Sequence, residues 1–243
     1  MLEVGRQRKN QPLNGNVHCY GIYIPILNVK DNRCYGKKRV ISIITKAAKS
    51  YHENLEDQKV LFVYGVPSEV KKQIEQNADV ISCLEFYEVV FHRSNFLHLT
   101  GLKLNKKKVS SAINFYSKCL DGRLSEDDFV LSKDGSTVQK LEVLADMMNI
   151  KKSASMIGDF TDAGPKLYSE KIAGNIYACM GFVCDKYSNL NVPNTLLKKE
   201  IRAVSSKPQK KIYAVFSKGY SEEKYTTIEK CDKSIEIGKI QLP

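Results

Sequence analysis

The sequence predicts an α+β fold in which N-terminal helices pack on a C-terminal antiparallel β-sheet. Three observations lead there. Before residue 150, apolar residues recur at helical spacing in several segments. After Lys151 the texture changes to short runs rich in β-branched and aromatic residues. Gly158, Gly164, Gly174 and Gly181 punctuate those runs, as turns between neighbouring strands require. Helices first and strands later is the order of an α+β domain.

Residues 1–40 read as a basic extension or arm, and residues 41–243 as one domain. In the arm, Arg6, Arg8, Lys9, Lys37, Lys38 and Arg39 surround an apolar run, Val17 to Val29, that Pro25 restricts to an edge strand or arm. Ile41, Ile44, Ala47 and Tyr51 predict a helix to Leu55. Lys59–Gly65 is a buried strand stopped by Gly65 and Pro67, after which Ser68 is placed to cap a short polar helix ending at Gln76. Cys83–Phe91 is a second strand. Phe96–Leu102, taken as extended, puts Phe96, His98 and Thr100 on one side. Val109, Ala112, Ile113, Tyr116, Cys119 and Leu120 predict a helix ending near Gly122, and Val138, Leu141, Leu144 and Met148 another. Strands are expected in Ser155–Phe160, Asn175–Asp185, Lys211–Lys218 and Lys224–Cys231, with a short helical turn over Asn194–Glu200 after Pro193.

Composition narrows the function. The chain has 38 Lys+Arg against 27 Asp+Glu, a net charge of +11 over 243 residues, which favours a polyanionic partner. No apolar run is long enough to span a bilayer. The first residues lack the apolar stretch of a secretory signal, so a cytoplasmic location is expected. Seven scattered cysteines without a CxxC pair suit reduced thiols rather than disulfides or zinc. There is no P-loop, GxGxxG after a strand, HExxH or GxSxG, which argues against nucleotide hydrolysis, redox and serine chemistry. No cofactor or metal is expected. Glu85, Glu88, Asp159 and Asp162 are the acidic residues from which a metal site would be built.

The chemistry-bearing stretch is FHRSNFLHLTGLK, Phe91 to Lys103. An imidazole such as His98 titrates near neutrality and can accept or give a proton, while Thr100 offers a hydroxyl and Lys103 an ammonium. An ordinary core histidine beside a turn has the same appearance. His92 falls in a polar turn, His92-Arg93-Ser94-Asn95, and His52 on the solvent side of a helix, where it has no evident role. Lys106, Lys107 and Lys108 precede a helix, where the dipole favours anions, so phosphate binding is one reason for them. Lys166, Tyr168 and Asn175 combine a cation, a phenol and an amide. Asn194 and Thr195 read as helix caps. Lys218 ends an apolar strand at the sheet rim, and Tyr225 begins the next with a face for base stacking.

A longer series carries a resemblance. FLHLTGLK (Phe96–Lys103), FYSKCLDGRLSEDDF (Phe115–Phe129), KLEVLADMMNI (Lys140–Ile150), MIGDF (Met156–Phe160), KLYSEKIAGN (Lys166–Asn175), GFV (Gly181–Val183), VPNTLLKKEIR (Val192–Arg202) and IYAVFSK (Ile212–Lys218) follow in order. Together they resemble the phage-type Barnase–EndoU–colicin–RelE-like (BECR) nuclease domains of the fourth variety, over roughly Ile41 to Ile235. The resemblance implies helices on an antiparallel sheet and a metal-independent endoribonuclease of toxin type, encoded by a phage or mobile element. RNA, tRNA included, would be cleaved through 2′-hydroxyl attack. It implies His98, Lys218 and Thr195 as catalytic residues, with Thr100, Lys166 and Asn175 binding substrate and no metal ligands; Lys103 and Tyr225 join the substrate-binding candidates on their own chemistry. The implied partners are RNA and a host or immunity protein, with no membrane. The rival reading is an inactive module of the same fold that binds nucleic acid or a host protein, for example as a counter-defence factor. A transferase acting on tRNA or nucleotides is the third class.

Overall fold

The computed structural model describes residues 36–161 and 168–236, together with 238, 240 and 242. The chain opens with helix α1 (Lys37–Asn54), then strand β1 (Gln58–Gly65), α2 (Pro67–Glu75) and β2 (Glu85–Phe91). A short helix α3 (Phe96–Thr100), the two-residue strand β3 (Lys103–Leu104), α4 (Ala112–Leu120) and β4 (Phe129–Val130) follow. After α5 (Ser136–Met147) and α6 (Ile150–Ser153) come β5 (Met156–Asp159), β6 (Lys171–Gly174), β7 (Cys179–Cys184), β8 (Asn191–Leu197), β9 (Lys210–Gly219) and β10 (Thr227–Cys231).

The main sheet is antiparallel, in the order β2-β1-β9-β5-β6-β7-β8, with β10 also paired to β9. It curls, because its two ends meet: β2 packs near β8, and Asn191 Nδ2 donates to the Glu88 carbonyl at 2.9 Å. β1 is the central support and is apolar on both faces. Val60, Phe62 and Tyr64 join the large core under the helices, while Leu61 and Val63 join a smaller core on the opposite face with Phe216 and Ile235. That double burial explains the uninterrupted apolar run in its sequence. Under α1, α3 and α4 the rings of Tyr51, Phe91, Phe96, Phe115 and Tyr116 pack edge-on, tilted and, for Phe96 with Phe115, stacked, with centroids 5.2 to 6.4 Å apart.

Several expectations need correction. The arm boundary at residue 40 lies inside α1, since Val40 is fully buried and Lys37 Nζ donates to the Glu126 carbonyl at 2.7 Å. The run Val17 to Val29 lies outside the described residues. Ser68 caps nothing: Val66 is the N-cap of α2, with Pro67 in its first turn. Phe96–Thr100 is helical rather than extended. Phe96 and Leu99, three apart, anchor one face in the aromatic core, and Gly101, at φ 69°, closes the helix in the left-handed conformation. Asn194–Glu200 is not a helical turn, because Asn191–Leu197 pairs along β7. Pro193 fits there since β8 ends the strand order and a bulge falls beside it. Lys171–Gly174, not foreseen as a strand, pairs on both sides as β6.

Candidate active site

The residues expected to act together are not brought together. His98 is exposed on α3, and helical geometry removes it from the side shared by Phe96 and Thr100. Crowding and then the Lys140 ammonium hold its imidazole below the usual range; Lys140 itself donates to the His98 carbonyl at 3.0 Å and is pulled by burial to about 8. Thr100 is fully buried, donating to the Leu97 carbonyl at 2.7 Å and accepting from Leu102 N–H at 3.2 Å, so its hydroxyl is consumed in closing α3. Thr195 is 2 % exposed. Its neighbour Leu196 joins the helix-facing core, so Thr195 points to the other face, against Gly181 and Ser169, away from α3. Three strands separate β8 from β9, which carries Lys218. Asn175 accepts from the N–H groups of Tyr177 and Ala178 at 2.8 and 3.2 Å, an Asx turn that shapes the β6–β7 hairpin. Lys103 is exposed on β3, and Lys166 lies outside the described residues. Lys106–Lys108 fall in a turn, since α4 starts only at Ala112 with Ser111 as its N-cap.

Lys218 and Tyr225 do meet. The Lys218 ammonium lies 4.2 Å from the Tyr225 ring centroid and donates to the Glu223 carbonyl at 2.9 Å. The Tyr225 hydroxyl donates to Glu88, and burial first, then this carboxylate, pushes the phenol well above its ordinary range. Tyr225 lies in the loop before β10, not in the strand. Lys59 stands opposite Lys218 across the β1–β9 pair, with Glu88 3.6 Å away. Two ammonium groups directly opposite each other cost stability, and one carboxylate offsets only part of that.

From there the surface turns the end of the sheet to a second group of side chains. Lys59 Nζ lies 5.5 Å from the Tyr220 ring, and that ring stands edge-on to His92 at 5.3 Å. The backbone holds the corner together: Tyr220 N–H donates to the Asp57 carbonyl at 2.8 Å, and Asp57 N–H to the Phe91 carbonyl at 2.9 Å. Asn95 Oδ1 accepts from His92 N–H at 2.9 Å, and Tyr51 Oη donates to the His92 carbonyl at 2.8 Å. This fixes the turn that presents Arg93.

Glu56 is the centre of that second group. Its carboxylate is 4 % exposed, yet it binds His52 Nδ1 and Tyr116 Oη through Oε2, and Arg93 Nε through Oε1. Burial pushes this carboxyl up, but the bonds from His52, Tyr116 and Arg93 prevail and leave it below its usual range. The same charge raises the Arg93 guanidinium and, after burial, the Tyr116 phenol. His52 and Arg93 are each more than half exposed. A carboxylate on Nδ1 makes that nitrogen the donor and leaves Nε2 of neutral His52 as a base. The corner therefore offers two imidazoles, a guanidinium and two ammonium groups at one end of the sheet. Sequence reading passed over His52 and His92, although His52, in the last turn of α1, and Glu56, just past its end, are spaced four apart.

Of the acidic residues named for a metal site, those described are taken up in ion pairs. Asp159 pairs with Lys171 at 2.7 Å and Glu85 with Lys210 at 2.6 Å, and Asp162 lies outside the described residues. Among the described residues no group of three or more His, Cys, Asp or Glu is arranged to hold a metal ion, and no helix is long and apolar enough to cross a membrane. A family model described as phage-Barnase-EndoU-ColicinE5/D-RelE like nuclease4 matches residues 43–234. The chain belongs to this nuclease family. Searches of curated proteins and of solved structures return no match. The curled antiparallel sheet, with most helices on one face and α2 on the other, is the α+β architecture expected of a BECR-like nuclease.

Proposed function

We propose that this BECR-family protein is an endoribonuclease that cleaves RNA by attack of a ribose 2′-hydroxyl on the adjacent phosphate, leaving a cyclic phosphate. The observation that carries the proposal is the buried Glu56 carboxylate holding His52 and Arg93 side by side. His52 Nε2 takes the proton of the 2′-hydroxyl, oriented by Glu56 through Nδ1. His92 gives a proton to the departing 5′-oxygen. Arg93 and Lys59 stabilise the charge on the phosphorane, which in such reactions is usually the largest single contribution. Lys218, largely buried against the Tyr225 ring, adds positive charge beside this site. The excess of basic residues supplies affinity for the RNA backbone that weakens with salt. The setting we assign is a toxin-type activity in the bacterial cytosol, encoded by a phage or mobile element, with tRNA among its substrates and a host or immunity protein as its protein partner.

Incubating the pure protein with total RNA and with tRNA in excess EDTA tests this. Cleavage with cyclic-phosphate ends is the expected result. RNA bound in a salt-dependent way but left intact would replace the enzyme with a non-cleaving module of the same fold.

A further inference from the structure

The turn between β7 and β8 displays an aromatic ring that the fold does not use. Tyr187 is completely exposed (101 %). The chain beneath it is nevertheless held firmly. Asp185 accepts from Ser188 N–H and Oγ–H at 3.0 and 2.6 Å, and its N–H donates to the Leu190 carbonyl at 2.8 Å. Asn189 N–H donates to the Asp185 carbonyl at 2.8 Å. A ring left wholly in water forgoes the burial that makes aromatic side chains useful to a core. A rigid turn that presents one is suited to a ligand with its own flat face.

The turn also stands near the proposed site. Asn191, just past it, donates to the Glu88 carbonyl on β2, and the Asp185 carboxylate lies within charge–charge range of His92. A second exposed ring, Tyr220 at 46 %, meets His92 edge-on. Lys59 lies against the Tyr220 ring, and exposed Lys186 precedes Tyr187 in the chain.

We infer that Tyr187 and Tyr220 are stacking surfaces for unpaired bases of the substrate, so that the protein selects single-stranded or looped-out nucleotides next to the scissile phosphate. This rests on the ribonuclease reading above. Bases inside a duplex are already stacked and present no free face, whereas unpaired bases stack on aromatic rings with little regard to sequence. The adjacent lysines follow the backbone.

The probe is a fluorescent 2′-O-methyl RNA, which cannot be cleaved by 2′-hydroxyl attack, used alone and annealed to its complement. Anisotropy is read for the full chain and for Tyr187→Ala, Tyr187→Phe and Tyr220→Ala. Each alanine variant is expected to weaken single-strand binding about tenfold and leave duplex binding unchanged, with Tyr187→Phe near wild type. Alanine variants that bind the single strand like wild type, or that lose duplex binding equally, would overturn the inference. If wild type still cleaves RNA in that case, the ribonuclease reading survives alone. If wild type neither binds nor cleaves RNA, both fall.

Discussion

Nδ1 of His52 is hydrogen-bonded to a carboxylate oxygen of Glu56, one turn further along the chain and almost wholly buried. An exposed imidazole with a buried anion behind it has a fixed tautomer and a fixed direction. Glu56→Gln removes the charge while keeping the shape. We expect it to lower kcat on RNA about a hundredfold with KM little changed, as loss of a positioned base does. A variant with unaltered kcat would reduce the pair to a structural ion pair.

Asp128 is 1 % exposed and carries a second buried carboxylate, bonded to Lys118 Nζ at 2.7 Å and to Ser125 N–H at 2.7 Å. Burial pushes it up, but these partners prevail and leave it below its ordinary range. A depressed carboxyl contributes stability above its unfolded value, about pH 4, and loses it as pH falls through the folded value. Asp128→Asn is expected to cost about 2 kcal/mol at pH 7 in urea melts. That difference should shrink below about pH 4; a difference independent of pH would refute the assignment.

The Tyr87 hydroxyl is buried among the described residues with no hydrogen-bond partner, its ring packed 6.0 Å from Phe182. A dry, unpaired hydroxyl costs stability, so Tyr87→Phe should be neutral or stabilising by about 1 kcal/mol. A loss of similar size in thermal melts would mean that the hydroxyl has a partner after all.

Gly174 ends β6 where the hairpin to β7 is tightest. A Cβ there would lie 2.2 Å from the Ala178 carbonyl oxygen and 2.6 Å from Cys179 Cα, both backbone atoms that cannot step aside cheaply. Gly174→Ala is expected to destabilise by about 2 kcal/mol or more, or to abolish soluble expression. Gly122→Ala serves as a milder comparison: its surroundings are open, and only its φ of 69° is at stake.

The periodicity that revealed the helices and strands was legible because burial imposed it. Val40, Ile44, Ala47 and Tyr51 in α1, and Val60 to Tyr64 in β1, are apolar where the core demands it. Short elements were not legible in the same way. Leu97–Thr100 alternates apolar and polar residues like a strand, and only the packing of this segment beneath α1 and α4, with Gly101 behind it, makes it helical. Pro193 suggested a helix start, but pairing with β7 overrode local preference. The site was harder still. His92, Lys59 and Tyr220 are separated by up to 161 residues of sequence and meet only because β1, β2 and β9 end at one corner. Their types gave no local pattern to read. Lys218 and Tyr225 meet because they flank one strand connection.

On the proposed function the reactive corner is built on His52 and Arg93 and not on His98. The direct measurement is the rate of RNA cleavage in EDTA for His52→Ala, Arg93→Ala and His98→Ala beside wild type, with folding checked by circular dichroism. Losses of about a hundredfold or more are expected for the first two and near-normal rates for His98→Ala. A His98→Ala variant that is inactive, with His52→Ala and Arg93→Ala fully active, would contradict it.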